Sequence, residues 1–518
     1  MLNKFLGTEA DKLDAFLSIA MILLIFCFFG ILRSYFQGLR GSPRELILVL
    51  FVKFLEYGAF GLGMLTFALY LSHDVGLTDI GAGTYVGIWM VIISGLIMVV
   101  GAVCDVIGIR QTLLIGCVSL IIGRLTLPIF EDPILISVFG FLPLAFGVAI
   151  SGPVLLVALK RFTTASSATL AFGLYYTLLN LGFATGGWIF DYFRGIHGDY
   201  SLIASLPITG DISVYQLLIA IALLMTLPQI IVIWLMRDNI EMTNFGVRFL
   251  ADKAEQVQPF FSKIAKNISN AARETSGMLY QVSREKRFWI FISALGIVTF
   301  IRIVSLHFLL TFPTYGIRLF GDGAQVGNLY AVLNPLIIVF LTPLISVLTT
   351  RASSYSMLLL GCTISALSIW IATVRPEIFE PLIDSDFGLL IFDRWLDIPE
   401  PSRDPFYFCL IIFIALFSIG EAIWAPRLMQ FTAEIAPPDK EGSYIALSYL
   451  PLFLGQFLAG PMSGFLLATY LPSGNEGDYS LHYMVWVWIG VVGAITPLGM
   501  VFFRNLFLKL DRSEEQSP

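Results

Sequence analysis

Thirteen apolar stretches, each about long enough to cross a lipid bilayer, limit what this chain can fold into. They fall near residues 15–32, 46–72, 84–106, 111–130, 133–159, 168–190 and 213–236, then near 288–311, 325–349, 355–374, 405–430, 443–470 and 482–505. A bilayer core takes about 20 apolar residues per helix, and inside it each backbone polar group must be satisfied within the segment. Runs of this length therefore predict helices. With 57% hydrophobic and 13% charged residues, the 518-residue chain reads as an all-α, multi-pass membrane protein and not as a soluble domain.

Setting the first run aside leaves six, a polar interval, and six more. The sequence thus predicts two six-helix bundles, over 46–236 and 288–505, preceded by one extra N-terminal transmembrane helix at 15–33. That helix lacks a small-residue cleavage site and is followed, not preceded, by Arg33, Arg40 and Arg44, so it is expected to be retained. The loops assigned to the cytoplasm carry 17 Lys and Arg, and those assigned outside carry 5: Arg194, Arg318, Arg375, Arg394 and Arg403. This asymmetry orients the chain in the cell (inner or plasma) membrane with a cytoplasmic tail at 506–518. The interval 237–287 is expected to be a cytoplasmic linker. After Pro259 it places Phe260, Ile264, Ile268 and Ala271 at helical spacing, with Lys263, Lys266 and Asn267 between them, the pattern of an amphipathic helix lying on the inner leaflet. The acidic segment 375–404 is expected to be a solvated outer loop.

Charges inside the apolar runs are the functional candidates, because a charge at the bilayer centre costs about 2.5–3.5 kcal/mol on insertion scales. Glu421 is the most isolated, with Gly420 before it and Ala425-Pro426 after it. Lys53, Glu56, Tyr57 and Phe60 recur at one-face helical spacing, which offers either a self-neutralising pair or a binding stripe. Arg124 and Arg302 lie in the outer halves of their helices, Arg427 lies where it can snorkel, and His307 is expected at a wet outer rim. His73, His197 and His482 are placed in loops. The five cysteines are odd in number and lack a CxxC pair, so neither a disulfide framework, a metal site nor a cofactor is expected. No nucleophile–base pair marks an enzyme. The expected partners are a small-molecule substrate, protons and the lipid bilayer, with no nucleic acid, and the chain is expected to be a monomer.

Three motifs narrow the reading. GAVCDVIGIR (101–110) resembles the GxxxDxxGxR loop signature of the major facilitator superfamily, in which Asp105, Gly108 and Arg110 would form a conformational gate. FGLYYTLLNLG (172–182), carrying Tyr176 and Asn180, resembles the FxxxYxxxNxG signature of the proton-coupled oligopeptide transporter family. IGEAIWAPRLMQFTAEIAPPDKEGSYIALSYLPLFLGQFLAG (419–460) is similar to that family's tenth and eleventh helices, and KFLEYG (53–58) weakly resembles its first-helix signature. Two departures stand out. Val49, Val52 and Lys53 stand where that family has two glutamates and an arginine, and Gly152-Pro153 stands where it has the lysine that partners Glu421. A shorter internal echo, TLLIGC (112–117) and MLLLGC (357–362), opens the third helix of each six.

The resemblance implies a major facilitator fold and a secondary active carrier, proton-coupled, for a small polar organic solute such as a peptide or amino-acid derivative, working by alternating access. Its substrate and proton residues would be Glu421, Lys53, Glu56, Tyr57, Tyr176, Asn180 and Arg302. Two other readings stand beside it: a carrier or antiporter of an organic anion or drug, and a transporter-like sensor that moves no solute.

Overall fold

The computed structural model describes residues 39–130, 132–199, 202–206, 210–237, 240–243, 246–249, 284, 286–349, 352–435, 450–473 and 479–505. The extra helix at 15–33, the amphipathic helix after Pro259 and the tail at 506–518 lie outside the described residues.

The long helices of the first bundle are α1 (Arg44–His73), α2 (Asp79–Ile107), α3 (Ile109–Thr126), α4 (Leu142–Arg161), α5 (Ala165–His197) and α6 (Val214–Trp234). Those of the second are α7 (Lys286–Leu310), α8 (Leu333–Leu348), α9 (Ser354–Ser368), α10 (Phe406–Ile435), α11 (Leu450–Tyr470) and α12 (Met484–Phe502). Ten membrane spans are recognised by length and apolarity among the described residues. The 33-residue α5, which carries Asn180, Asp191 and Arg194, and the 21-residue α11 are not among those ten.

Polar side chains start these helices where the apolar runs begin. Thr164 and Ser167 form a reciprocal capping box at α5, as do Ser213 and Gln216 at α6. Wide π-type turns at Ile136–Phe141 and Gly327–Val332 lead into α4 and α8, and prolines 153, 228, 343, 426, 461 and 497 lie inside helices. Two short antiparallel hairpins, β1 (Leu202–Leu206) with β2 (Gly210–Ser213) and β3 (Ile240–Thr243) with β4 (Gly246–Phe249), follow α5 and α6.

Within the first bundle α1 packs on α5 and α6, and α3 on α4 and α6; within the second α9 packs on α10, and α7 on α11 and α12. The bundles meet along α2–α11 and α5–α8. Small residues make the first seam possible. A Cβ on Gly83 would lie 2.3 Å from the Gly460 carbonyl oxygen, and one on Gly464 2.3 Å from the Asp79 carbonyl oxygen. The backbones therefore touch directly, as membrane helices do where lipid offers no hydrophobic drive. The sequence echo has the same basis: Gly116 of α3 packs against Gly147 and Ile150 of α4, and Gly361 of α9 packs against Gly420 and Trp424 of α10.

Three expectations change. The acidic segment 375–404 is folded, with Phe392 and Leu396 buried and Phe379, Phe387 and Phe392 packed on Phe408 at the start of α10. Its aromatic residues, spaced between the carboxylates, supply a buried face that charge counting overlooks. His307 is fully buried and not at a wet rim, with Nδ1 2.7 Å from Thr311 Oγ1, which donates onward to Ser463 Oγ at 2.8 Å. His73 and His197 close the last turns of α1 and α5 and do not sit in loops.

Gly460→Val should lower the melting temperature in detergent by several degrees, since overpacking costs about 1–3 kcal/mol and here the obstacle is backbone. Gly95→Val, on the same α2 with open space around it, should leave the melting temperature unchanged when both are read by intrinsic fluorescence.

Candidate functional site

The α1 stripe divides. Four residues advance a helix by about 400° and three by about 300°, so Tyr57 and Glu56 flank Lys53 on opposite sides. The Lys53 ammonium lies 3.7 Å from the centroid of the Tyr57 ring and 4.6 Å from that of Tyr175 on α5. Glu56 turns instead into the first bundle. Its Oε2 is 3.7 Å from Arg124 Nη1 of α3, and Arg124 also donates to Thr226 Oγ1 of α6. Glu56 and Arg124 are each 2% exposed. This buried pair ties α1, α3 and α6 together, and it separates Glu56 from the other residues of the expected site.

Glu421 lies mid-way along α10 and is partly exposed. Asn334 Nδ2 of α8 donates to its Oε2 at 2.9 Å and also reaches Ser418 Oγ, one turn earlier on α10, at 2.9 Å. Ser418 in turn donates to the Ile414 carbonyl at 2.6 Å, so the amide that holds the carboxylate is itself anchored. Arg302 of α7 is near enough for its charge to act on Glu421, and its guanidinium lies 5.9 Å from the Trp424 ring centroid. From the first bundle, Tyr176 of α5, 40% exposed, comes within electrostatic reach of Glu421. Asn180 Nδ2 donates to the Tyr176 carbonyl at 2.9 Å, placing both on one face as the spacing predicts. Glu421, Arg302 and Tyr176 thus converge from two bundles, and Lys53 meets α5 one residue from Tyr176.

At one end of the bundles Gly108 takes φ +86°, ends α2 with its N–H on the Cys104 carbonyl, and opens α3. Only a residue without a Cβ adopts this backbone cheaply. Asp105 lies in the last turn of α2, and Arg110 lines a cleft with Gly108, Arg161, Phe162 and Arg237. Arg237 grips the buried Glu45 at 2.7 and 2.9 Å, fixing the start of α1 to the chain just after α6.

The other end bridges the bundles. Arg318 donates to both oxygens of Asp79 at 2.8 and 2.7 Å. Arg194, placed in an outer loop by the sequence reading, is completely buried in α5 and bonds Asp199, Asp191 and the Ala324 carbonyl of the second bundle. Sequence reasoning missed Asn334 and this cluster. Their signals were an asparagine beside Pro335 in an apolar run, and an Asp191–Arg194 pair at i,i+3 just short of Asp199.

Residues 49–382 match the family model described as Major Facilitator Superfamily. Among curated protein sequences no relative matches the chain. Similar solved structures include a POT family transporter in complex with 5-aminolevulinic acid (16% identity, TM-score 0.63, covering 90% of this chain and 98% of that one). A structure of proton dependent oligopeptide transporters is similar too (15% identity, TM-score 0.62, covering 90% and 99%). So is a nucleoside transporter (11% identity, TM-score 0.60, covering 90% and 99%). At these identities the likeness carries the fold.

Arg124→Met should strip the buried Glu56 of its cation and cost about 3–5 kcal/mol, seen as a sharply lower melting temperature or folded yield. Adding Glu56→Gln should recover most of that loss, and a double variant no more stable than Arg124→Met would contradict the pairing.

Proposed function

The chain belongs to the Major Facilitator Superfamily, and on that premise we propose that it is a secondary active transporter of a small polar organic solute, peptide- or amino-acid-like, driven by protons. The solute binds between the bundles, and their rocking exposes it to each side in turn. The observation that carries this reading is Glu421, a carboxylate steadied through one oxygen by Asn334 and within electrostatic reach of Tyr176 from the other bundle. Its other oxygen receives a substrate amine or the coupling proton. Lys53 and Arg302 receive a substrate carboxylate, with Tyr57, Tyr176 and Asn180 as walls. Glu56 supports the site from within its bundle by holding α1. Asp105, Gly108 and Arg110 form the conformational gate at their end. The protein acts as a monomer in the cell membrane with its C-terminus in the cytoplasm.

The proton has a reason to bind at Glu421. The first-helix positions that carry glutamates in the oligopeptide transporters hold Val49 and Val52 here, and Gly152 supplies no lysine to keep Glu421 charged. A second reading, exchange of an organic anion, is favoured by one feature: with Glu56 paired inside its own bundle, two cations, Lys53 and Arg302, stand against the single carboxylate Glu421 among the candidate residues.

A thermal-shift screen of the purified protein separates the two. A ligand at a hundred times its dissociation constant adds about 2.7 kcal/mol of stability, a readable rise in melting temperature. Peptides or amino-acid derivatives should give it, organic anions alone would favour the second reading, and stabilisation by none would count against transport. In proteoliposomes with an imposed pH gradient, Glu421→Gln should cut uptake by about tenfold or more, about 1.4 kcal/mol. Unchanged uptake would remove Glu421 from its central role.

A further inference from the structure

The cluster around Arg194 is built from both bundles. Arg194 Nε and Nη2 hold Asp199, the latter at 2.7 Å, while Nη1 lies 3.2 Å from Asp191 Oδ1 and 3.0 Å from the Ala324 carbonyl. The carboxylates in turn hold backbone of the second bundle. Asp191 accepts from the Gly327 and Asn328 N–H groups at 2.9 and 2.5 Å, and Asp199 accepts from the Gly323 N–H at 3.2 Å. Asp191 therefore caps the turn that leads into α8 from across the bundle boundary. Its reach depends on the close approach of α5 and the turn before α8 at Gly187 and Gly327, where a Cβ on Gly327 would lie 2.3 Å from the Gly187 carbonyl oxygen.

We propose that Arg194 is the keystone of a latch that holds the two bundles shut at the Asp199 end. The proposal rests on the alternating-access reading and assigns the element that sets which end is closed. Two carboxylates share one guanidinium, and the remaining negative charge is offset by three backbone N–H groups from the second bundle and by the Tyr215 hydroxyl at 3.4 Å from Asp199. The cluster is electrostatically complete only while the second bundle is docked. Separation takes both donors from Asp191 and the cap from α8, and water must replace them. Cavities of about 600 and 500 Å³ flank the latch and share Asp322, so water can replace those bonds from either side. The other ionisable groups that face the cluster are His73 from α1, Tyr215 from α6, Asp322 from the loop before α8 and Tyr407 from α10.

Without the guanidinium, Asp191 and Asp199 are like charges in a closed space, relieved by opening the end or by binding a proton. The test uses the full chain in lipid nanodiscs, with the five native cysteines replaced by alanine and spin labels at Ile196→Cys and Ser402→Cys. Interspin distances are measured at about pH 7.5 and about pH 4.5, on either side of a perturbed carboxylate. Without further substitution the pair should show one short distance at both values. Arg194→Gln should add a longer population at the higher pH that shrinks at least about threefold at the lower, as carboxylates bind protons. Asp191→Asn added to Arg194→Gln should restore the short distance at the higher pH. Arg194→Lys, which keeps the charge but loses the fork, should show the same pH-reversible shift to a smaller extent and serves if the glutamine variant does not fold. A short distance retained in both Arg194 variants, or an opening that ignores pH and the second substitution, overturns the latch. The readout needs no substrate. A failure of proton-driven uptake would count against the proposed transport and leave the latch standing.

Discussion

A charge taken into a bundle surrounded by lipid must bring its counter-charge or its hydrogen-bond donors with it, because no water is there to replace them. The arrangement of this protein follows from how each buried charge meets that demand. Glu56 and Arg124 answer each other inside the first bundle and fix three helices. Lys53 lies against two tyrosine rings. Asp191, Arg194 and Asp199 are completed by the backbone of the opposite bundle. Glu421 takes an amide donor from Asn334.

These solutions differ in what they allow. A pair closed within one bundle can persist through any rigid-body movement, so Glu56 and Arg124 suit a scaffold. A cluster completed by the other bundle stores the difference between docked and separated states. A carboxylate held through one oxygen keeps capacity for a ligand. The structural, conformational and binding roles proposed for these residues thus separate by where the partner resides, not by residue type. At the glycine seam between α2 and α11, by contrast, the bundles touch directly through backbone.

The repeating apolar runs made the helices and the two-bundle plan legible in the sequence, since length and hydropathy alone decide which segments enter a bilayer. Glu421 was legible for the same reason, as an anomaly against an apolar background. The partner of Glu56 was not. The i,i+3 spacing to Lys53 is a local signal, whereas Arg124 arrives from another helix, and nothing in a single sequence records that approach. Asn334 was hidden because one neutral amide in an apolar run differs little from the many that merely bond within the bundle. Arg194 was misplaced for an opposite reason: charge near a helix end counts as loop in any orientation rule, and its burial depends on Asp191, Asp199 and the second bundle together.

The folded acidic segment at 375–404 has a mechanical consequence. Its aromatic residues are seated on Phe408, in the first turn of the helix that bears Glu421 one bilayer leaflet away. The segment is therefore a handle on that helix, joined to it by packed aromatic rings. A nanobody raised against it would grip α10 from outside, and tilting of the helix during a cycle would be read as motion of a surface feature, with no probe placed near the site itself.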